Sequence, residues 1–355
     1  MLYESIEDHG AHGMSQKILS VSIAAYNSEK YLERCVRSFT ESSVISDTEL
    51  IIVDDGSTDN TGVIADRLHF EHPDDIKVIH KKNGGHGSTI NASIKEASGK
   101  YFKIVDSDDW VEKSGIEKLI DILKKTECDI VLNPHYDVDA LTGKKCQSED
   151  VSNGNPYNRI MDIDFLDKDI FLAMHDVCFR TDVLKNAGEQ IDEKCFYVDA
   201  EYIIYYFYHC RNTIFLEFPV YDYYVGTKEQ SMNHKNMVRR RKEHEQVVFS
   251  VIDFYEKHYG SATKTDRKQK IIRNRINMLI RMQYKILMLL PYGQAKVELR
   301  GFDDKLRSKS EVLYGTCLDN DSKRRFIGSR ILKILRKDDF RHFRLLNTVW
   351  IKKYS

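Results

Sequence analysis

Neither sign of charge prevails in this 355-residue chain, where 54 Lys and Arg stand against 55 Asp and Glu. The chain therefore lacks the basic field that would hold nucleic acid, and it has no acidic tail. Any charged partner has to be met by local clustering. The seven cysteines (35, 128, 146, 178, 195, 210, 317) are odd in number and form no CxxC pair. They read as reduced thiols of a cytosolic protein, not as a disulfide frame or a zinc site. Apolar runs such as ILMLLPY, from Ile286, fall far short of the roughly 20 residues of a membrane-spanning helix. The opening MLYESIEDHGAHGMSQ has no basic stretch followed by an apolar one, so residues 1–16 read as a short disordered leader and not as a signal peptide. Internal repeats and low-complexity linkers are also missing. What is present, 41% hydrophobic and 31% charged residues, suffices for a buried core and more than one structural unit.

Periodicity supplies the organisation. ILSVSIAA, from Ile18, is a strand-type apolar run, and SEKYLERCVRSFTE then puts Tyr31, Leu32, Cys35, Val36 and Phe39 on one helical face. The alternation recurs in ELIIVD with a helix from Asp59 to Leu68, IKVIH with a helix from Gly87 to Ala97, YFKIV with KSGIEKLIDILKKT, and finally CDIVLN. Strands alternating with helices of this length predict a mainly parallel sheet covered on both faces. Ligands of such sheets sit beyond the carboxyl ends of the strands. Asn27, Asp54, Asp55, residues 83–87 and residues 106–109 all follow strands, so they should share one edge.

The densest charge lies in KIVDSDDW, where Asp106, Asp108 and Asp109 crowd one strand tip. Carboxylates so close raise one another's pKa unless a cation sits between them. Hard oxygen ligands without clustered His or Cys suit Mg²⁺ or Mn²⁺, which complete their shells with water and substrate phosphates. The competing reading is a polar turn that starts the next helix. IIVDDGSTDNT is similarly ambiguous: Asp59 reads as a helix cap, whereas Asp54 and Asp55, ending a strand beside Gly56, suit acceptance from a base N–H or a ribose hydroxyl. KKNGGHGSTINAS fits neither GxGxxG nor GxxxxGK[ST], which removes the dinucleotide and P-loop readings, though its glycines let backbone approach a ligand.

In order and approximate spacing, SIAAYNSEKYL, ELIIVDDGSTDNT, NGGHGSTIN, ASGKYFKIVDSDDW and YVDAEYI resemble the family 2 glycosyltransferases, inverting enzymes of the GT-A fold. The resemblance is strong over residues 17–135, thinner to 235 and absent beyond. It implies a nucleotide-diphospho-sugar transferase fold, a Rossmann-like mixed, mainly parallel α/β sheet with helices on both faces, plus a mostly helical C-terminal region. By the same resemblance Ala24, Tyr26 and Asn27 touch the uracil and ribose, and Asp54 or Asp55 reads the base. Asn83, Gly85 and Asn91 match the Asn/Gly pattern ahead of the metal motif, with Ile90 where many members carry Arg. Asp106, Ser107 and Asp108 form the DxD segment beside Asp109, and Asp108 is the first choice of metal ligand for Mn²⁺ or Mg²⁺. Asp199 is the implied catalytic base, with Val198 in place of the usual Glu and Glu201 as the second candidate. Against this stands a plain helix-capping role for Asp199.

The expected division is a GT-A catalytic domain over 17–235, with a nucleotide-sugar half (17–135) and an acceptor half (136–235), followed by a helical region over 236–355. The expected partners are a nucleotide sugar, UDP-linked first, and a saccharide or lipid-linked acceptor in bacterial surface-polysaccharide synthesis. Nucleic acid is not among them. A nucleotidyltransferase and a non-catalytic nucleotide- or sugar-binding module are the alternatives. Most tyrosines between 197 and 224 are expected in the core, and His234 or Arg239–Arg241 is a candidate diphosphate contact. Residues 323–344 are basic with Ile327, Ile331, Ile334 and Leu335 on one face. Such a helix packs on the protein or a second subunit, or lies on the inner face of the cell membrane.

Overall fold

The computed structural model describes residues 16–226, 233–261 and 265–319, together with residues 332, 333, 335–337 and 340. The leader up to residue 15, residues 227–232, and Ile327, Ile331 and Ile334 of the basic segment lie outside the described residues.

The first half alternates as its periodicity requires: β1 (Leu19–Ala25), α1 (Leu32–Thr40), β2 (Thr48–Asp54), α2 (Thr61–Glu71), β3 (Ile76–His80), α3 (His86–Glu96), β4 (Tyr101–Asp106), β5 (Trp110–Val111), α4 (Lys113–Lys125) and β6 (Ile130–Leu132). Then come β7 (His135–Asp139), β8 (Lys145–Gln147), β9 (Met161–Asp162), β10 (Val177–Arg180), α5 (Thr181–Ala187), α6 (Asp199–His209), β11 (Asn212–Phe215) and β12 (Tyr221–Val225). Helices α7 (His234–Arg239), α8 (Arg241–Tyr259), α9 (Arg267–Leu287), α10 (Tyr292–Lys309) and α11 (Glu311–Thr316) follow.

An eight-stranded sheet runs β3-β2-β1-β4-β10-β6-β11-β9. Strands β3, β2, β1 and β4 are mutually parallel, and β10 enters antiparallel between β4 and β6. The sheet is thus mixed and mainly parallel, as expected. A smaller sheet, β5-β12-β7-β8, lies beside it and was not foreseen, because two of its strands have only two or three residues.

Burial follows the two-residue period of a strand. Leu50 and Ile52 join Leu19, Val21 and Ile23 under α1 and α4, while Ile51 and Val53 join Phe102 and Ile104 on the other face under α3 and α6. A one-residue slip of β2 would exchange these two sets, so both faces fix its register. The second cluster continues without a break from Ile51 through α6, α8 and α9 to Leu335 and Phe340. The C-terminal helices therefore share a core with the elements of residues 136–235. Within residues 323–344, Leu332 and Leu335 are buried and Arg336 pairs with Asp303 at 2.6 Å, so this described part faces the protein. Among the described residues, no helix is long and apolar enough to cross a membrane.

Candidate active site

Sheet register brings the motifs to one edge: Ala24 lies opposite Asp106, Ala25 opposite Asp54, and Asp54 opposite His80. Asn27 occupies the left-handed region (φ 51°) and ties two loops together. Its Oδ1 accepts from the Thr58 N–H (2.9 Å), and its own N–H donates to Ser57 Oγ (3.0 Å). Tyr26 beside it is half exposed (53%), and Ser28 and Ser107 share a hydroxyl contact of 2.8 Å.

The two Asp-rich tips differ sharply. At the β2 tip, Asp54 accepts from the Ser57 N–H at 2.9 Å and lies 2.9 Å from His80 Nδ1. Although burial opposes it, those bonds hold its pKa below the usual range, and the same contact raises that of His80. Asp55 is buried and accepts from Lys81 Nζ (2.7 Å) and from the Gly84 and Gly85 amides (2.9 and 2.7 Å). Its carboxylate thereby shapes the glycine loop.

At the β4 tip the carboxylates lack such partners. Among the described residues the Asp106 carboxylate accepts no hydrogen bond, and burial with the nearby Asp199 charge pushes its pKa up to about 6. The Asp108 carboxylate accepts only from its own amide; burial, then Asp106, raises it likewise to about 6. Asp109 is the exception, because Tyr221 Oη donates to it at 2.5 Å and the Tyr224 N–H at 2.7 Å. Burial still raises its pKa, with Asp108 and Asp106 adding to the effect. Arg34 braces the outside of the turn, donating to the Asp108 carbonyl (2.6 Å) while its guanidinium lies 3.8 Å over Trp110.

Donor atoms of Asp106, Asp109 and His175 lie within 4.8 Å of one another. Asp108, the expected first ligand, falls outside that trio. His175 was missing from the sequence reading. It lies just ahead of β10, and nothing local in AMHD reveals that β10 inserts beside β4. Lys103, buried within β4, fixes this segment by donating to the His175 carbonyl (2.7 Å), and burial pulls its pKa down to about 8. Two carboxylates without protein donors, raised by burial and mutual repulsion, with further oxygen and imidazole donors nearby, fit a divalent cation.

The glycine loop meets the segment ahead of α6, not open space. A Cβ on Gly87 would lie 2.0 Å from the Asp192 carbonyl, and Gly85 (φ 80°) abuts the Lys194 backbone. Asn91, expected among donor contacts, uses both ends of its amide on Ile191, donating to its carbonyl (2.9 Å) and accepting from its N–H (3.0 Å). Asn83 stays exposed on the loop. These contacts seat Asp199.

Asp199 is the first residue of α6; the capping position is Val198, and no side chain caps the helix. The Asp199 side chain is 42% exposed, meets the Asp199 and Ala200 amides that open the helix, and lies within electrostatic reach of Asp106 and His86. Burial raises its pKa, with Arg275 and His86 opposing. His86 opens α3 with Nε2 3.5 Å from Asp106 Oδ1. Glu201 is fully buried, accepts from the Asp192 N–H (2.8 Å) and is pushed up to about 8 by burial. It is a neutral core acid near pH 7, away from the cleft. Arg241 pairs with Glu298 (2.9 Å), which removes it from the diphosphate candidates, whereas Arg240 lies 3.0 Å over the Phe196 ring. Tyr202, Tyr206 and Tyr221 are core, as expected.

Residues 20–187 match the family model for glycosyl transferase family 2. They belong to that family. This chain is 37% identical over 128 residues to glycosyltransferase GlyG of Streptococcus pneumoniae serotype 4, a match covering 36% of this chain and 42% of that protein. It is 38% identical over 112 residues to chondroitin synthase of Pasteurella multocida, covering 32% of this chain and 11% of that one. The matches thus span less than half the length of these curated relatives. In fold the chain is similar to S. aureus TarS 1–349 solved with UDP-GlcNAc (TM-score 0.66, 16% identity, 95% of this chain and 92% of that one). A second likeness is to the mannosyltransferase PcManGT of Pyrobaculum calidifontis solved with GDP-Man and Mn²⁺ (TM-score 0.51, 12% identity, 98% and 88%).

Proposed function

We propose that this protein transfers a sugar, with inversion, from a nucleoside-diphosphate donor to a hydroxyl of a saccharide or lipid-linked acceptor in bacterial surface-polysaccharide synthesis. The donor nucleotide is UDP in the first instance. The observation that carries the reading is the pairing, at one sheet edge, of two carboxylates that accept no hydrogen bond from another described residue, Asp106 and Asp108, with a partly exposed carboxylate on another element, Asp199. The printed names of the relatives support it: they include chondroitin and hyaluronan synthases and a minor teichoic acid biosynthesis protein.

Asp106 and Asp108, with Asp109 and His175 as further donors, would hold Mg²⁺ or Mn²⁺. When bound, such an ion offsets the charge that grows on the departing diphosphate. The Tyr26–Ser28 turn, leaning on Ser57 and Thr58, forms the wall for base and ribose. His86 at the head of α3 adds a donor and the positive end of a helix beside Asp106. Asp199 takes the proton from the acceptor hydroxyl, whose oxygen attacks the anomeric carbon opposite the diphosphate, so configuration inverts without a sugar–enzyme bond.

Calorimetric titration of UDP, GDP and CDP, with Mn²⁺ and then with EDTA, tests the donor assignment. Metal-dependent binding of UDP alone is expected. Absence of binding by all three nucleotides with metal present overturns it in favour of a non-catalytic module.

A further inference from the structure

Helix α9 of the C-terminal region reaches the cleft. Helix α9 is fastened to the segment ahead of β10 through Asp169, which pairs with Arg267 Nη1 (2.7 Å) and Lys270 Nζ (3.2 Å). That fastening sets Arg275, on the next turn, beside Asp199 and over the exposed ring of Phe171. Its Nη2 lies 3.9 Å from Asp199 Oδ2, and its guanidinium lies 4.9 Å from the Phe171 centroid.

Among the described residues, Arg275 is left short of partners. Its side chain is nine-tenths buried (10% exposed), its Nε meets no acceptor, and its Nη1 finds only the Met278 sulfur at 3.8 Å. The Asp199 contact is too long for a hydrogen bond. A guanidinium offers five N–H donors in a planar fork, and leaving them unpaired away from water is costly. A second cation continues the surface: Arg240, whose Nη1 is buried without a partner, lies over Phe196, and Tyr197 senses both its charge and that of Asp199. The acceptor side of the cleft therefore presents unpaired guanidinium donors beside the proton-accepting carboxylate.

Building on the transfer reading above, we propose that the acceptor carries an anionic group, a phosphate or a carboxylate, next to its reacting hydroxyl, and that Arg275 binds it. A planar fork takes such an oxyanion in two parallel hydrogen bonds. The resulting anchor places the hydroxyl against Asp199, and a neutral glycan lacks this hold. Arg275 is then a specificity residue supplied by the part of the chain in which the family resemblance is silent.

The test uses the full chain saturated with UDP and Mg²⁺, so that the diphosphate subsite is filled before any other anion is offered. Glycerol 3-phosphate and glucuronate are titrated against their neutral counterparts, glycerol and glucose. One or both anions should bind at least tenfold more tightly than the neutral partner, and which of them does distinguishes phosphate from carboxylate. Arg275→Gln should lower that affinity at least tenfold while leaving UDP affinity within twofold. Arg275→Lys, which keeps the charge without the fork, should fall between and guards against a failure of the glutamine variant to fold. Equal affinity for charged and neutral probes, or anion binding untouched in both variants, overturns the proposal. A parallel loss of UDP affinity reassigns Arg275 to the donor and overturns it too. Failure of the wild-type protein to bind UDP strikes the donor-site reading instead, and is seen before any anion is added.

Discussion

Two strand tips carry nearly the same letters, VDDGS after β2 and VDSDDW after β4, yet they do different work. After β2 every carboxylate is answered: Asp54 by Ser57 and His80, Asp55 by Lys81 and two glycine amides. After β4, the carboxylates of Asp106 and Asp108 accept no hydrogen bond from another described residue, and both are raised to about 6. The first tip holds a loop in place through bonds of its own, and the second carries electrostatic repulsion that a bound cation would relieve. The difference arises from what each strand lies beside, because β2 ends next to His80 and the glycine loop, whereas β4 ends under Asp199 and the tyrosines of β12.

That contrast breaks first at the acceptor side. Asp199→Asn should reduce turnover by about 10²–10⁴-fold while UDP affinity stays within twofold, since only the proton acceptor is lost. Turnover in a transfer assay beside UDP titration decides it. At the β2 tip the damage should instead be to stability. Asp55→Ala strands two loop amides and a lysine in a buried place and should cost about 3 kcal/mol in urea unfolding. Asp106→Asn, by contrast, should leave stability unchanged or improved, while Mn²⁺-dependent UDP affinity drops at least tenfold. In the wild type, a cation competes with protons for groups that titrate near 6, so metal affinity should hold above pH 7 and fall as pH drops below about 6. Metal affinity that ignores pH between 5 and 7 would remove the distinction between the tips.

Glu201 sharpens the comparison from the core side. Its folded pKa, about 8, lies above the unfolded value near 4.5, so the native state binds the extra proton between them. Wild-type stability should therefore fall as pH rises from 4.5 through 8, and Glu201→Gln should escape that loss. By pH 8.5 the variant should be the more stable by roughly 1–3 kcal/mol, with the gap vanishing near pH 4.5. Parallel melting curves across pH would show it. The smallest effect lies far from both tips: Gly301 sits inside α10 with open space around its missing Cβ, so Gly301→Ala should stabilise by about 0.5–1 kcal/mol without altering turnover.

Much of the fold could be read before any coordinates. The 3.6 and 2.0 periods place β1, β2, β3, α3 and β4 within a residue of their observed bounds, α1 begins four residues after its expected start, and α2 begins two residues and ends three beyond its expected limits. The edge that gathers Asn27, Asp54 and Asp106 follows from the parallel alternation alone. The small sheet was invisible because Trp110–Val111 and Lys145–Gln147 are too short to carry a period. Within the site, residue type could not separate Asp55 from Asp106, nor show that Asn91 clamps Ile191 and Glu201 is buried. His175 and Arg275 carried no motif at all, since each reaches the cleft only through distant packing.

The sequence by itself determined the alternation, the register of the parallel strands and therefore the edge at which charge collects, because apolar periodicity is local and each strand tip inherits its position from its own strand. Tertiary structure alone decided which of those charges stay unpaired. A carboxylate's pKa and partners depend on groups brought in from far along the chain, as α9 brings Arg275 to Asp199 and the Asn91 clamp seats the loop ahead of it. Local pattern sets where a side chain stands, and desolvation with long-range contact sets what it can do there.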